Sequence, residues 1–388
     1  MARTTPRLRP SVEAFPASTG DLYLLRTDGE GDVVLRQATP FARRLVDALA
    51  EGGRTEVELS RALAAEEGDV RTAVEELEAA GVLTHDTPTT AGFDQVRYDR
   101  QLHYFADQAS PPLGARDMQL ALARATVVVL GAGGLGSWTM AALTCAGVGR
   151  IVAADHDTVE LSNLNRQILY RTADVGRLKV DVAGEALRSL NPDTDFVGLP
   201  LRVEGPDDVR SMAAGADFVV CTADSPVHEI GRWVNEACLD LGVPHVSAGQ
   251  FPPRIRVGPT FVPGRGGCLA CQERQFRRDF ALYDELVAHR QASSPVAATL
   301  GPPSGLIGSL LAMEVIHWIT GICEPATLGR GLVFDLRDFS THWEPVEPDP
   351  DCELRCGERS PERRQQVLLP LEREQQQVNH AEGRVVRA

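Results

Sequence analysis

The stretch Val127-Val128-Val129-Leu130-Gly131-Ala132-Gly133-Gly134-Leu135-Gly136 decides the fold of this chain. Four apolar residues, three of them β-branched, run into a glycine with no polar spacer. That pattern predicts a short strand buried on both faces. The glycines then follow the spacing G-x-G-x-x-G. Between a strand and a helix, the first glycine permits a tight turn and the second lets backbone approach a phosphate or ribose. The third lets the helix pack closely on the strand. The helix is expected through Trp138, Ala142 and Ala146, and the next strand, Ile151–Ala154, ends at Asp155. This carboxylate comes 22 residues after Gly133, where it can accept hydrogen bonds from ribose hydroxyls.

Further strands are expected at Phe218–Cys221, ending near Asp224, and at Val243–Ser247, and a long buried helix over residues 299–322. Strands alternating with helices at this spacing predict an α/β fold. It is a doubly wound, mainly parallel sheet with a Rossmann-like nucleotide site. A small α+β domain of winged-helix-like pattern precedes it. Its strands are expected at Asp21–Arg26, Val33–Arg36 and Val82–Thr84. Its helices start at Thr39-Pro40, at Thr55 and near Val70. The expected organisation is a mobile N-terminus (1–19), the small domain (20–85), a linker (86–96), the nucleotide-binding domain (97–356) and a charged tail (357–388).

The chain has 388 residues and a net charge of −15, which argues against a nucleic-acid binder. No apolar run reaches the roughly 18 residues of a membrane span. There is no signal-peptide pattern and no secreted disulfide framework, so a cytoplasmic protein is expected.

A glycine loop of this kind usually suggests NAD. The run from Asp155 to Gln167 points instead to ATP, because it sets Asp157, Asn163, Arg166 and Gln167 beside the strand end. Lys179 is the one lysine among 39 basic residues. With Arg166 it can neutralise a triphosphate, as a compact ammonium where arginine is a wide fork. Asp224 can hold Mg²⁺, which is usually bound through few carboxylates plus phosphate oxygens. Singly, each of these is an ordinary polar loop residue; together they converge on one edge of the sheet.

Residues 97–356 resemble the ThiF/MoeB/ubiquitin-activating superfamily of adenylyltransferases. The matching strings are RYDRQ (97–101), GAGGLGS (131–137), AGVG (146–149), ADHDTVELSNLNRQ (154–167), VGRLKV (175–180), CTADS (221–225) and CLAC (268–271). The resemblance implies MgATP-dependent adenylation of a carboxylate, usually a peptide or protein C-terminus. It implies ATP bound by Gly131, Gly133, Gly134, Gly136 and Asp157, with Asp155 on the ribose. Asn163, Arg166, Gln167 and Lys179 would lie on the phosphates and Asp224 on Mg²⁺. Arg100 resembles an arginine that reaches the γ-phosphate from a partner subunit, which implies a homodimer. Arg100, Arg166, Lys179 and Asp224 are thus the expected catalytic residues.

Cys268 and Cys271 have zinc-ligand spacing, and Cys352 and Cys356 supply two further thiols for a closed tetrahedral site. The resembled family commonly carries such a structural Cys₄ zinc, with CxxC in both halves; here the second half is CxxxC. Cys145, Cys221 and Cys238 sit in apolar segments and read as packing residues. With no cysteine between Cys271 and Cys323, a thioester step is not expected.

Residues 1–90 hold 10 arginines against 16 acidic residues, which discounts DNA binding. The small domain can serve packing or dimerisation, or it can clamp a peptide by strand addition. From Tyr23-Leu24-Leu25 through Thr39-Pro40-Phe41-Ala42, Gly53-Arg54-Thr55 and Leu77 to Gly81-Val82-Leu83 it resembles PqqD-like leader-recognition domains. Such a clamp before a ThiF-like domain resembles the MccB/PaaA-like enzymes that modify ribosomally made precursor peptides. The string VGPTFVPG (257–264) is similar to that group too. The expectation is leader binding by the first domain and adenylation of a carboxylate, a C-terminus or an Asp/Glu side chain, by the second. The alternatives are adenylation of a sulfur-carrier protein, and a non-enzymatic clamp that delivers a leader peptide to a partner cyclodehydratase.

Overall fold

The computed structural model describes residues 5–27, 29–86, 92–109, 114–293, 298–358 and 385–386. The chain divides into two compact units, one built on Met1–Leu120 and the other on Ala121–Pro370.

In the first unit β1 (Thr5–Leu8) pairs antiparallel with β5 (Leu83–Asp86), while β2 (Val12–Pro16), β3 (Leu22–Arg26) and β4 (Val33–Leu35) form an antiparallel meander. Val385–Val386 runs parallel beside β4. Three helices follow the meander: α1 (Pro40–Glu51), α2 (Glu56–Leu63) and α3 (Glu67–Ala79). Thr39 caps α1 by accepting from Ala42 N, and Thr55 and Glu58 cap α2 reciprocally, as their side-chain chemistry favours. Leu24, Leu45, Leu49, Leu59, Val70 and Val74 close the core. The expected mobile N-terminus is therefore corrected, because residues 5–16 supply two strands. The division between the compact units falls after Leu120, whereas the nucleotide-binding domain is expected from residue 97. Helices α4 (Asp99–Gln108) and α5 (Ala115–Arg124) start before the division at Leu120. α4 is tied to the first unit by Ser11 N to Asp107 Oδ1 (2.7 Å) and Arg9 Nη2 to Ala109 O (3.1 Å). The linker falls partly, and the tail mostly, outside the described residues.

The second unit is built on an eight-stranded sheet. Its strands are β6 (Thr126–Leu130), β7 (Arg150–Ala154), β8 (Asp195–Leu199), β9 (Phe218–Cys221), β10 (His245–Phe251), β11 (Arg254–Phe261), β12 (Arg330–Asp335) and β13 (Thr341–Pro345). Their order is β8-β7-β6-β9-β10-β11-β12-β13. The first five are parallel and the last three each pair antiparallel with the strand before, β11 and β12 being joined through three helices, so the sheet is mainly parallel as expected. Val127 to Leu130 are fully buried, as a strand covered on both faces must be. Helices α6 (Gly134–Ala146), α7 (Lys179–Leu190) and α12 (Gly301–Thr320) pack together on one side. On the other, α8 (Pro206–Ala213) and α9 (Glu229–Leu241) cover β6, β7 and β9 through Val209, Ala213, Ile230 and Val234. Helices α10 (Leu269–Asp279) and α11 (Tyr283–Ser293) follow β11. Chain direction through the sheet reverses between β6 and β9, which opens a crevice at their C-terminal ends.

Candidate active site

Register brings the site residues to one edge. Leu130 pairs with Ala154 of β7 and with Cys221 of β9, so Gly131, Asp155 and Thr222 leave the sheet at one level. Gly131 has φ +91°, and a Cβ there would lie 2.9 Å from Ala223 N. A Cβ on Gly136 would lie 1.9 Å from Gly131 O. These two glycines exist for close approach of backbone to backbone. Helix α6 starts directly after the loop with no side chain capping it. Its first N–H groups and positive dipole end therefore stand free for an anion.

Asp155 and Tyr170 hold the loop between them. Asp155 Oδ2 accepts from Ala132 N at 2.7 Å and its Oδ1 from Asp157 N at 2.8 Å. The buried Tyr170 hydroxyl donates to Ala132 O at 2.7 Å. Burial, then the charges of Asp155 and Asp157, push this phenol well above its ordinary value, so it stays a donor. Thr222 Oγ1 lies 2.9 Å from both Leu130 O and Gly131 O.

Lys179 opens α7 and is buried, with Nζ 2.7 Å from Asp157 Oδ2 and its backbone N donating to Asp157 O at 3.0 Å. Burial acts to raise the Asp157 carboxyl, but the bond and charge of Lys179 outweigh it and hold that carboxyl below its ordinary value. Beyond the short 3-10 turn Leu161–Asn163, Arg166 donates to Ser162 O at 2.9 Å and to Asn165 Oδ1 at 3.1 Å. Trp138 on α6 donates to Arg166 O at 3.1 Å and fixes that backbone. Asn163 is buried and accepts from Glu160 N at 3.1 Å. Gln167 is 4% exposed; its Oε1 has no hydrogen-bond partner, and its Nε2 lies 3.9 Å from where a Gly133 Cβ would stand. An orphaned buried acceptor beside an open glycine fits a ligand that brings a hydroxyl or amino donor, as a nucleoside does, and leaves the Gln167 Nε2 to serve an acceptor. A Gly134 Cβ would stand 3.5 Å from Arg166. Asp224 is exposed on the loop after β9, next to Ala223, which touches Gly131. Arg100 belongs to the first unit, exposed on α4 and 3.8 Å from Asp99.

The sequence reading missed Tyr170, Thr222 and Trp138, which position the loop and Arg166, and also Gln250 and Ser304. Tyr170 follows the polar run by three residues, which is the one local signal it offers. Gln250 Nε2 donates to Ser304 Oγ at 2.7 Å, and Gln250 Oε1 accepts from Leu300 N at 3.2 Å.

The four cysteines gather as expected. Cys268 Sγ lies 4.0 Å from Cys271 and 3.7 Å from Cys352, and Cys271 lies 3.6 Å from Cys356. A tetrahedral ion with bonds of about 2.3 Å needs sulfur separations of about 3.8 Å, so the set fits zinc. The extra residue of the second pair is taken up by Arg355, whose φ of +48° turns the chain before Cys356. Asp349 N lies 3.4 Å from Cys271 Sγ, a second-layer donor of the kind metal thiolates use. Burial pushes the Cys268 thiol up to about 12, so a thiolate there needs a compensating cation. Cys221 and Cys238 are buried packing residues, but Cys145 is exposed, which corrects its reading.

Fold and glycine loop together define an α/β protein of nucleotide-binding type, with its candidate site at the switch point of the sheet. The sequence profile of the ThiF family matches residues 98–354, and the chain belongs to that family of ATP-dependent adenylyltransferases. It is 32% identical over 274 residues to the SAMP-activating enzyme E1 of Haloferax volcanii, covering 69% of this chain and 92% of the relative. It is 33% identical over 250 residues to the sulfur carrier protein ThiS adenylyltransferase of Escherichia coli, covering 64% and 90%. The fold is similar to Escherichia coli MccB crystallised with AMPCPP and MccA (TM-score 0.69, 22% identity, 90% of this chain and 99% of that one). It is also similar to PaaA (TM-score 0.68, 22% identity, 87% and 99%). No helix among the described residues is long and apolar enough to cross a membrane.

Proposed function

We propose that this enzyme adenylates a carboxylate of a ribosomally made precursor peptide whose leader docks on the first unit. One observation carries the reading. The likeness to MccB spans 90% of this chain and 99% of that one, whereas the sulfur-carrier adenylyltransferases cover about two thirds. The family profile itself begins at residue 98, so the strands and helices before it are an addition to the adenylation machinery. One of the solved relatives is the microcin C7 biosynthetic enzyme MccB in complex with N-formylated MccA. In the proposed mode the leader adds as a strand along the β2-β3-β4 sheet, with specificity from a groove against α3.

The chemistry follows from charge. A carboxylate oxygen attacks the α-phosphorus of ATP, a new O–P bond forms, and the bond to pyrophosphate breaks. Pyrophosphate leaves with the electron pair. Two anions must meet, so Arg166 and Lys179 offset the phosphate charge while the N-terminus of α6 and Gln167 donate to phosphate oxygens. Asp155 takes the ribose. Asp224 would hold Mg²⁺, which when bound offsets further charge on the phosphates. Cys268, Cys271, Cys352 and Cys356 would hold a structural zinc. A homodimer would bring Arg100 of one subunit to the γ-phosphate of the other.

The test is ATP–pyrophosphate exchange with three acyl donors: the full precursor peptide, the same peptide without its leader, and a carrier protein ending in Gly-Gly. Exchange with the full peptide alone supports the reading. Exchange with the Gly-Gly carrier, indifferent to any leader, replaces it with sulfur-carrier activation, which the 33% identities to sulfur-carrier adenylyltransferases favour.

A further inference from the structure

Apart from Asp224 after β9, the residues assigned to the nucleotide follow β6 and β7, on one side of the switch point. The edge toward β9 and β10 is the one left for an acyl group. At that edge Gln250, Leu300 and Ser304 form a closed ring of hydrogen bonds. Gln250 Oε1 accepts from Leu300 N at 3.2 Å, Leu300 O accepts from Ser304 Oγ at 2.9 Å, and Ser304 Oγ accepts from Gln250 Nε2 at 2.7 Å. The ring stands against the glycine loop. Ser304 is fully buried, and a Cβ on Gly134 would lie 3.2 Å from Ser304 Oγ and 3.5 Å from Arg166.

The ring fixes the Gln250 amide in one orientation, because Leu300 N can only donate and so requires the oxygen. A primary amide has two N–H donors. One is used on Ser304, and the ring leaves the second unspent. Gln250 is half-buried at the C-terminal end of β10, whose Ser247 pairs with Cys221 just before Asp224. A neutral donor suits this place, since it can bind a carboxylate without holding it as tightly as a cation would.

We propose that Gln250 is the positioning residue for the acyl group, its free N–H donating to a carboxylate oxygen that becomes the carbonyl of the acyl-adenylate, with Ser304 and Leu300 bracing the amide. The inference rests on adenylation at this site and deepens that reading. It is independent of whether the acyl group belongs to a peptide or to a carrier protein.

Two probes isolate the acyl group: 5′-O-sulfamoyladenosine and its N-acetyl derivative, which mimics an acyl-adenylate. Calorimetry on the intact protein gives the affinity gained from the acetyl group. In Gln250→Glu one carboxylate oxygen still accepts from Leu300 N and the other can accept from the Ser304 hydroxyl, whose single proton then leaves Leu300 O; the side chain stays held at both ends while the free donor becomes a negative charge. The acetyl gain is expected to fall by about tenfold or more, the scale of one hydrogen bond to a charged group. Binding of the unacylated probe and the melting temperature should stay at wild-type values. Gln250→Ala should lose the acetyl gain to a smaller extent, for want of repulsion. If Gln250 merely braces α12, Gln250→Ala will weaken both probes alike, so that the acetyl gain stays at the wild-type value, and will lower the melting temperature. That result overturns the proposal. Failure of the peptide reading would instead appear in the exchange assay and leave this comparison intact.

Discussion

Lys179 shows why a single residue type matters. Its ammonium is buried against Asp157 at 2.7 Å, and a guanidinium is a wider, planar group to place there. Lys179→Arg is therefore expected to keep the charge and still lower the pyrophosphate-exchange rate by roughly 100-fold, the scale of losing one preorganised contact to developing charge. Recovery of the wild-type rate would remove the claim that compactness matters. The same pair makes a pH prediction. Asp157 is held below its ordinary value of 3.8, so its pairing contributes stability above that value and loses it as the pH falls through the lowered one. Asp157→Asn should melt below the wild type at pH 7, and the gap should close as acid takes the buffer below pH 3.8. Half of the Asp157 side chain is exposed, so solvent screening keeps the gap small.

The glycine loop works as an element, and its members do different jobs. A Cβ on Gly136 would meet Gly131 O at 1.9 Å, a contact that backbone on both sides must move to relieve. Gly136→Ala should cost about 3 kcal/mol or lose the fold, as overpacking of rigid neighbours does. A Cβ on Gly133 would find its nearest neighbour, Gln167 Nε2, at 3.9 Å, so Gly133→Ala should fold normally. It should nonetheless weaken ATP binding, because the methyl stands where backbone must approach phosphate. Urea melts and ATP titrations on the two variants separate the roles. These local patterns were legible from sequence, as were Asp155, the run to Gln167 and the two cysteine pairs. Each is a short string with chemistry of its own. What stayed hidden depends on partners distant in sequence. Tyr170 reaches back 38 residues to Ala132, and Gln250 meets Ser304 54 residues on. Strand β1 carries Pro6 in a Pro- and Arg-rich stretch, which reads as mobile chain, yet it pairs with β5 across the whole small domain. Strand β11 contains Gly258-Pro259, which breaks the alternation that marks a strand, so its antiparallel place in the sheet could not be read.

At the scale of the whole molecule the cysteine cluster joins parts that sequence sets far apart. Cys268 and Cys271 lie at the start of α10, while Cys352 and Cys356 follow β13, the last strand of the large sheet. A metal bound by all four would tie the segment after β13 to the helices beside the sheet and close a long loop, which restricts the unfolded state most. The four thiols are buried among Leu239, Phe261 and Val346, so without a cation this part of the core would carry polar sulfurs in apolar surroundings. The purified protein is therefore expected to hold one zinc per chain by elemental mass spectrometry. Stripping it with a strong chelator, or changing Cys352→Ser, should lower the melting temperature by about 10 °C, as a loss of several kcal/mol does in a domain of this size. Pyrophosphate exchange measured well below the lowered melting point should survive, because neither cysteine pair touches the glycine loop, Lys179 or Asp224. A protein that carries no metal and melts unchanged in chelator would show the cysteines to be packing residues alone. Loss of exchange without loss of stability would move the zinc from the scaffold into the chemistry.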